Sequence, residues 1–380
     1  MDVQPGNSVF VPVMDRDVKT PLMPTTPSRA RRWIKSGEAT PFFKKGVFCV
    51  RLNRAPSGQA RQLIVATADP GSKREGFTVK SKAHTYLNVH AEAVTWVKDA
   101  VETRSDMRRG RRFRKTPCRK PGPSDAMMRT SKRISPSTKA RWGWKLRVLN
   151  WLSALFPVTD IGVEDVQAAT RKGKRKWNRS FSPLQVGKDW FYSEIRRMGV
   201  ALHLRAGFET KALRDQLRLK KTSRKLAETF AAHCVDSWVI AWDIVGGNEV
   251  PDNRDLLCIQ PIHLHRRQLH RLQPQKGGER LSYGGTRSHG FKRGSLVRHA
   301  KWGLAYVGGV LKDRLSLHHI ESGKRLTQNA KPVDCRFLTY NIWKFHSVAH
   351  TKKGEAGMGR SMAAALSLPG LNAGVSRAIG

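Results

Sequence analysis

Acidic side chains are scarce in this chain of 380 residues: 29 Asp and Glu stand against 71 Lys and Arg, for a formal charge of +42. A surface so one-sided repels itself unless a polyanion covers it. Nucleic acid is the natural counter-ion, and an excess of this size implies an extended, backbone-dominated interface rather than one small patch. Long apolar runs are missing as well. No window approaches the ~18 uninterrupted apolar residues of a membrane span, and residues 1–6 open no basic-then-apolar leader. The expectation is a cytoplasmic protein with no membrane partner. Cysteines are few, and Cys49, Cys118, Cys234, Cys258 and Cys335 never form a Cys-x-x-Cys pair. That argues against a disulfide framework or a zinc knuckle. His263, His265 and His270 follow Cys258, but they alternate with Arg266, Arg267 and Arg271 and read better as phosphate-facing histidines than as zinc ligands. Aromatics make up 8% and hydrophobic residues 39% of the chain, enough for two or three small domains with modest cores.

What is there can be read in order. After a strand at 9–13, Thr26 as N-cap, Pro27 at the first helical position and Gly37 just past the end predict a short helix, basic on one side. A strand at 47–52 completes a small α+β unit. Residues 62–69 and 76–80 read as adjacent strands joined by an Asp-Pro-Gly turn, with a third at 85–90. A helix predicted over 91–103 runs into the block Arg108, Arg109, Arg111, Arg112, Arg114, Lys115. Between residues 104 and 147, sixteen side chains are Lys or Arg and only Asp106 and Asp125 are acidic. A helix so charged needs RNA or DNA phosphates to order it. Further on, the pattern predicts a helix over 135–155 and a strand over 160–168. A cationic loop at 171–179 leads to a helix at 183–198, a strand at 200–204 and a helix at 210–217. A long helix over 224–242 would place His233 and Asp236 on one face. Beyond Pro251, glycine-punctuated short runs suit a twisted antiparallel sheet or small barrel, and the last thirty residues look weakly ordered.

Within this basic chain a few acids keep apolar company. Asp69 ends an apolar strand, Glu164 sits among Ile161, Val163 and Val166, and Asp236 lies three residues after His233. Taken singly, each is an ordinary structural acid. Brought to one edge of a sheet, three carboxylates repel one another unless cations join them. Two Mg²⁺ ions about 4 Å apart on such acids activate a water on one side of a phosphodiester and stabilise the departing oxygen on the other. The expected product is a nicked strand.

These residues carry a resemblance. Asp69-Pro70-Gly71-Ser72-Lys73, Val163-Glu164-Asp165-Val166-Gln167 and His233-Cys234-Val235-Asp236 resemble the three split motifs of a RuvC nuclease, an RNase H-like fold. Pro21-Leu22-Met23-Pro24 resembles the N-terminal box of the IscB/IsrB group of transposon-encoded RNA-guided nucleases, and the arginine block resembles that group's bridge helix. Residues 171–224 hold one histidine, His203, and one asparagine, Asn178, too little for the His-Asn-His nuclease that some members insert there. The chain therefore resembles the IsrB form, which lacks it. The resemblance implies a nickase guided by a structured RNA (omega RNA), one protein per RNA, that cuts the displaced strand of double-stranded target DNA. By motif, Asp69, Glu164 and Asp236 would be the ligands of two Mg²⁺, and His233 would activate the attacking water or bind the second metal. Target choice would come from pairing, with the protein reading a short adjacent duplex motif. Arg287, Lys292, Arg293 and Arg298 are candidates for that role.

The fold class that follows is α/β, an RNase H-like (RuvC) core split in sequence, with a small N-terminal α+β domain, an Arg-rich bridge helix and a C-terminal β-rich domain. The expected boundaries are an N-terminal domain at 1–55, RuvC parts at 56–103 and 121–247, the bridge helix at 104–120, the β-rich domain at 248–345 and a tail at 346–380. Two other functions stay open on sequence alone. One is a non-catalytic RNA- and DNA-binding scaffold, the other a structure-selective RuvC nuclease that needs no guide.

Overall fold

A computed structural model describes residues 10–17, 20–45, 47–56, 58, 60–115, 134–165, 183–262, 272–273, 278–279, 287–311, 313–320, 322–340 and 343–350. The predicted loop at 171–179, the histidines at 263–270 and residues 351–380 of the expected tail lie outside them, while residues 346–348 end the strand Trp343–Val348. The chain is mixed α/β and divides into two compact units. Among the described residues, the first takes those within 10–40, 50–257 and 348–350, the second those within 41–49 and 258–347.

The first unit opens on β1 (Val11–Met14), β2 (Pro21–Thr25) and α1 (Pro27–Lys35), and β3 (Ala39–Lys44) and β4 (Val47–Leu52) follow in the chain. β1 pairs antiparallel with β2, and it runs parallel to β4 at Val13↔Val50 and Met14↔Arg51. The proline box is thus strand β2, not a loop. α1 starts as its sequence predicts: the Thr26 side chain accepts from the Arg29 N–H at 3.4 Å, Pro27 follows, and Gly37 takes φ +76° beyond the end.

The centre of this unit is a sheet whose strands include β5 (Ile64–Asp69), β6 (Arg74–Ser81), β7 (Thr85–Glu92), β8 (Asp160–Asp165) and β9 (Ala201–Ala206). These five lie in the order β7-β6-β5-β8-β9. β5, β6 and β7 form an antiparallel meander, while β8 and β9 run parallel to β5. Every residue of β5 is buried, as expected of a strand covered on both faces. One cover is α3 (Pro136–Ser153) packed on α4 (Pro183–Arg196). The other is α6 (Cys234–Val245), which crosses β5, β6 and β8. The eight residues from Cys234 to Ala241 are all buried, so protein surrounds the first two turns of α6. Its polar atoms are paired: Thr67 Oγ1 donates to the Ser237 carbonyl at 2.6 Å, and Ser237 Oγ lies 2.8 Å from Thr78 Oγ1.

Two helix boundaries differ from the sequence expectation. The predicted helix over 91–103 begins only at Val97, as α2 (Val97–Lys115), because Ala91 and Glu92 continue β7 and pair with Glu75 and Arg74. The predicted helix over 224–242 begins at Cys234. Residues 224–233 form a series of turns, closed by Thr222 N–H to the Ala231 carbonyl at 2.9 Å. The remaining helix, α5 (Gly207–Gln216), follows β9 directly. In the second unit, the strands Ser295–His299, Gly303–Leu311, Arg314–His319, Arg325–Ala330 and Cys335–Tyr340 make the antiparallel sheet that the glycine-punctuated runs predict. Val297, Val307, Leu315 and Leu317 are at its core. Among the described residues, no helix is long and apolar enough to cross a membrane.

Candidate active site

Side chains alternate between the two faces of a strand, and this alternation decides which acids can meet. Thr67 faces α6, so Asp69 two residues on does too. A Cβ on Gly162 would meet Ile240 and Ile244 of α6, so Glu164 also lies on that side. Asp236 comes from the first turn of α6 itself. Carboxylate oxygens of Asp69, Glu164 and Asp236 lie within 4.8 Å of one another. Asp69 is 4% and Asp236 1% exposed, and Glu164 is half-buried.

The strands can carry their acids here only because two glycines allow close crossings. At Gly71 an added Cβ would overlap the Arg74 carbonyl oxygen, so the turn after Asp69 is too tight for any side chain. At Gly76, paired with Asp69 across the β5–β6 ladder, an added Cβ would run into the His233 carbonyl. That crossing brings the entry of α6 onto the strand ends.

His233 precedes the first turn of α6, which corrects the expectation that it shares a helix face with Asp236. Its ring folds back over the sheet. Nδ1 lies 3.0 Å from Asp69 Oδ2, and Nε2 lies 3.0 Å from the Lys225 carbonyl oxygen. Both partners are acceptors, so the ring holds both only with a hydrogen on each nitrogen. The bond to the Lys225 carbonyl is also why the turns at 224–233 do not close into a helix around that residue. His90 stacks on His233 with ring centroids 5.7 Å apart.

Two cations missed by sequence reasoning enter the cluster. Arg214 of α5 and Lys221 each donate to Asp236, and Lys221 Nζ lies 3.8 Å from Asp69. Burial opposes the charge of Lys221, but Asp69, Asp236 and Glu164 outweigh it and raise its pKa. Burial also works against the charge of Asp69, yet the His233 hydrogen bond and the Lys221 charge outweigh it and hold this carboxyl below its ordinary range. Glu164 goes the other way. Burial, then the neighbouring Asp69 charge and their shared hydrogen bond, push it up to about 8. The cluster is therefore crowded with negative charge, and Glu164 is the member whose ionisation its neighbours oppose. A compact set of oxygen donors under such repulsion fits a hard divalent cation such as Mg²⁺.

On the opposite face of the sheet, Glu75 of β6 is fully buried and pairs with Lys145 of α3 at 2.6 Å. Burial, opposed by Lys145, leaves Glu75 with a raised pKa. Asp165, next to Glu164, faces the same way and meets Lys188 Nζ at 2.7 Å and the Tyr192 hydroxyl at 2.8 Å. No sequence signal marks Lys145, Lys188, Arg214 or Lys221 among 71 basic residues.

The side chains expected to meet nucleic acid are placed as follows. Arg108 and Arg109 are exposed on α2, where Arg109 faces Asp106 at 3.4 Å. Arg111, Arg112, Arg114 and Lys115 continue the same helix. In the second unit, Arg287 pairs with Lys292 across a two-residue hairpin, and Lys292 Nζ stands 5.2 Å over the Tyr340 ring. Arg298 is exposed and lies opposite Arg336 on the neighbouring strand, and Arg293 is exposed just before that strand pair.

Residues 11–179 match the model of the family described as RRXRR protein. That span holds β5 to β8, and with them Asp69 and Glu164. Among solved structures, the chain is similar to the Thermus thermophilus RuvC in complex with a Holliday junction substrate, at 15% identity. The match covers 47% of this chain and 90% of that one, with a TM-score of 0.25. A second Thermus thermophilus RuvC structure matches at 15% identity over 47% and 91% of the two chains, with a TM-score of 0.20. No curated protein matches the sequence.

Proposed function

We propose that the chain is an RNA-guided DNA endonuclease that nicks one strand with the carboxylates Asp69, Glu164 and Asp236. One observation carries this reading. Three acids from β5, β8 and α6, 95 and 72 residues apart in sequence, converge on one face of the sheet with their oxygens within 4.8 Å. A protein that only binds phosphate gains nothing from such a convergence, since acids repel its ligand. The strand order β7-β6-β5-β8-β9, with the middle strand of the meander antiparallel, supports an RNase H-like core. The family match over 11–179 and the resemblance to the IscB/IsrB group support a nuclease related to RuvC, and the resemblance alone supports the guide RNA.

Asp69, Glu164 and Asp236 would hold two Mg²⁺, which when bound supply an activated water and a stabilised leaving oxygen. The chain's own residues do the rest. His233 fixes Asp69 through Nδ1. With a hydrogen on each nitrogen it has no lone pair for a proton from water, so to act as a base it must first lose one of those protons, and with it the bond to Asp69 or to the Lys225 carbonyl. Glu164, pushed up to about 8 by burial and by the neighbouring Asp69, would be the ligand that must shed a proton for the cluster to hold a cation. The exposed arginines of α2 would run along RNA phosphates, and Arg293 and Arg298, also exposed, would meet the DNA duplex.

The test is plasmid nicking by the RNA-bound protein with Mg²⁺. Wild type converts supercoiled plasmid to open circle, and Asp69→Ala leaves it supercoiled while binding RNA as before. If wild type and Asp69→Ala both leave the plasmid intact, the protein is a scaffold. If RNA-free protein cuts branched DNA, the guide is dispensable.

A further inference from the structure

Lys145 is an unusual lysine for this chain. Only 4% of its side chain is exposed, and it reaches past the ring of Trp142, 5.1 Å from Nζ, into the layer between α3 and the sheet. There it donates to Glu75 Oε1 at 2.6 Å and to the Gly71 carbonyl at 3.4 Å. Glu75 Oε2 has no hydrogen-bond partner among the described residues. As a source of stability this arrangement is poor, because taking both charges out of water offsets much of their attraction, and apolar replacements of such pairs are often neutral or better.

Its position suggests another role. Gly71 and Glu75 are the two legs of the turn that joins β5 to β6, and Asp69 is two residues before the first of them. One ammonium therefore grips both sides of the turn from the face opposite the acids. Fixing that turn fixes where the Asp69 carboxylate ends up, since the Gly71 crossing leaves the backbone no slack. The neighbouring helix repeats the device: Lys188 of α4 and Tyr192 hold Asp165, one residue after Glu164.

We propose that Lys145, oriented by Glu75, is a positioning residue that sets how tightly the Asp69, Glu164 and Asp236 cluster binds a divalent cation. This rests on reading that cluster as a metal centre. Groups that orient metal ligands without touching the metal typically change affinity 10–100-fold when removed. The experiment uses the full chain with its bound RNA and compares wild type, Asp69→Ala and the double variant Glu75→Leu/Lys145→Met. Melting temperature and Mn²⁺ binding by calorimetry are measured. The expected result for the double variant is a melting temperature at or above that of wild type, with a Mn²⁺ dissociation constant roughly 10–100-fold higher. Unchanged Mn²⁺ affinity in a folded double variant overturns the inference. If the double variant does not fold, Glu75→Gln/Lys145→Gln takes its place, with the same two outcomes. The two failures are distinguishable. If wild type and Asp69→Ala bind Mn²⁺ alike, the metal centre itself is refuted. If Asp69→Ala alone loses binding, only the role of Lys145 is.

Discussion

Lys221 places an ammonium where three acids converge, and its charge offsets part of theirs. Removing it leaves Asp69 and Asp236 to repel with Arg214 as the remaining donor to Asp236. Lys221→Met should cost the metal-free protein about 1 kcal/mol, the low end for a buried carboxylate losing a charged partner. That corresponds to a melting temperature lower by roughly 2–4 °C. Mg²⁺ should then raise the melting temperature more in this variant than in wild type, because no lysine competes for the oxygens. Thermal unfolding with and without Mg²⁺ measures both. The same residue shows where sequence reading stops. Asp69, Glu164 and Asp236 stand out because acids are rare here and each lies in apolar company. Lys221 cannot stand out, because a cation that meets an acid across a fold looks, in sequence, like every other lysine. Lys145 and Arg214 are hidden for the same reason.

Among elements, α2 is the least like its neighbours. It runs for 19 residues, and from Val101 to Arg109 every residue is exposed, with Phe113 79% exposed. A helix this charged and this bare gains little from the exposed ion pair of Arg109 with Asp106. Phosphates are the partner that its composition calls for. Replacing Arg108 and Arg109 with Ala should lower the slope of log affinity against log salt, by about one for each phosphate that is no longer neutralised. Binding of a structured RNA, titrated at several salt concentrations, reads this directly. Elements with a strong local signature are legible in the sequence: α1 from its cap and proline, β5 to β7 from apolar runs around a Pro-Gly turn. The turns at 224–233 are not. Their residues have ordinary helix propensity, and what stops the helix is tertiary, the crossing at Gly76 and the bond from His233 to the Lys225 carbonyl. β7 likewise outruns its predicted end because Arg74 and Glu75 offer it two more partners.

At the scale of the whole molecule, a charge of +42 makes a bound polyanion part of the folded state's electrostatics, and on the proposed function that polyanion is RNA. Stripping bound RNA should lower solubility and abolish nicking, and restoring a transcript with a guide segment should recover cleavage only of DNA that matches it. Sequencing the RNA that accompanies the purified protein identifies that transcript. The order of the sheet has a further consequence, for timing. Its three acids stand at positions 69, 164 and 236, so the centre cannot assemble until the stretch that becomes α6 has left the ribosome and inserted beneath β5 and β8. A chain cut short before that point lacks Asp236 and with it one of the three converging carboxylates. On the proposed reading, the capacity to cut would arrive late in synthesis, only after residue 236 has emerged and packed against the strands that carry the other two acids.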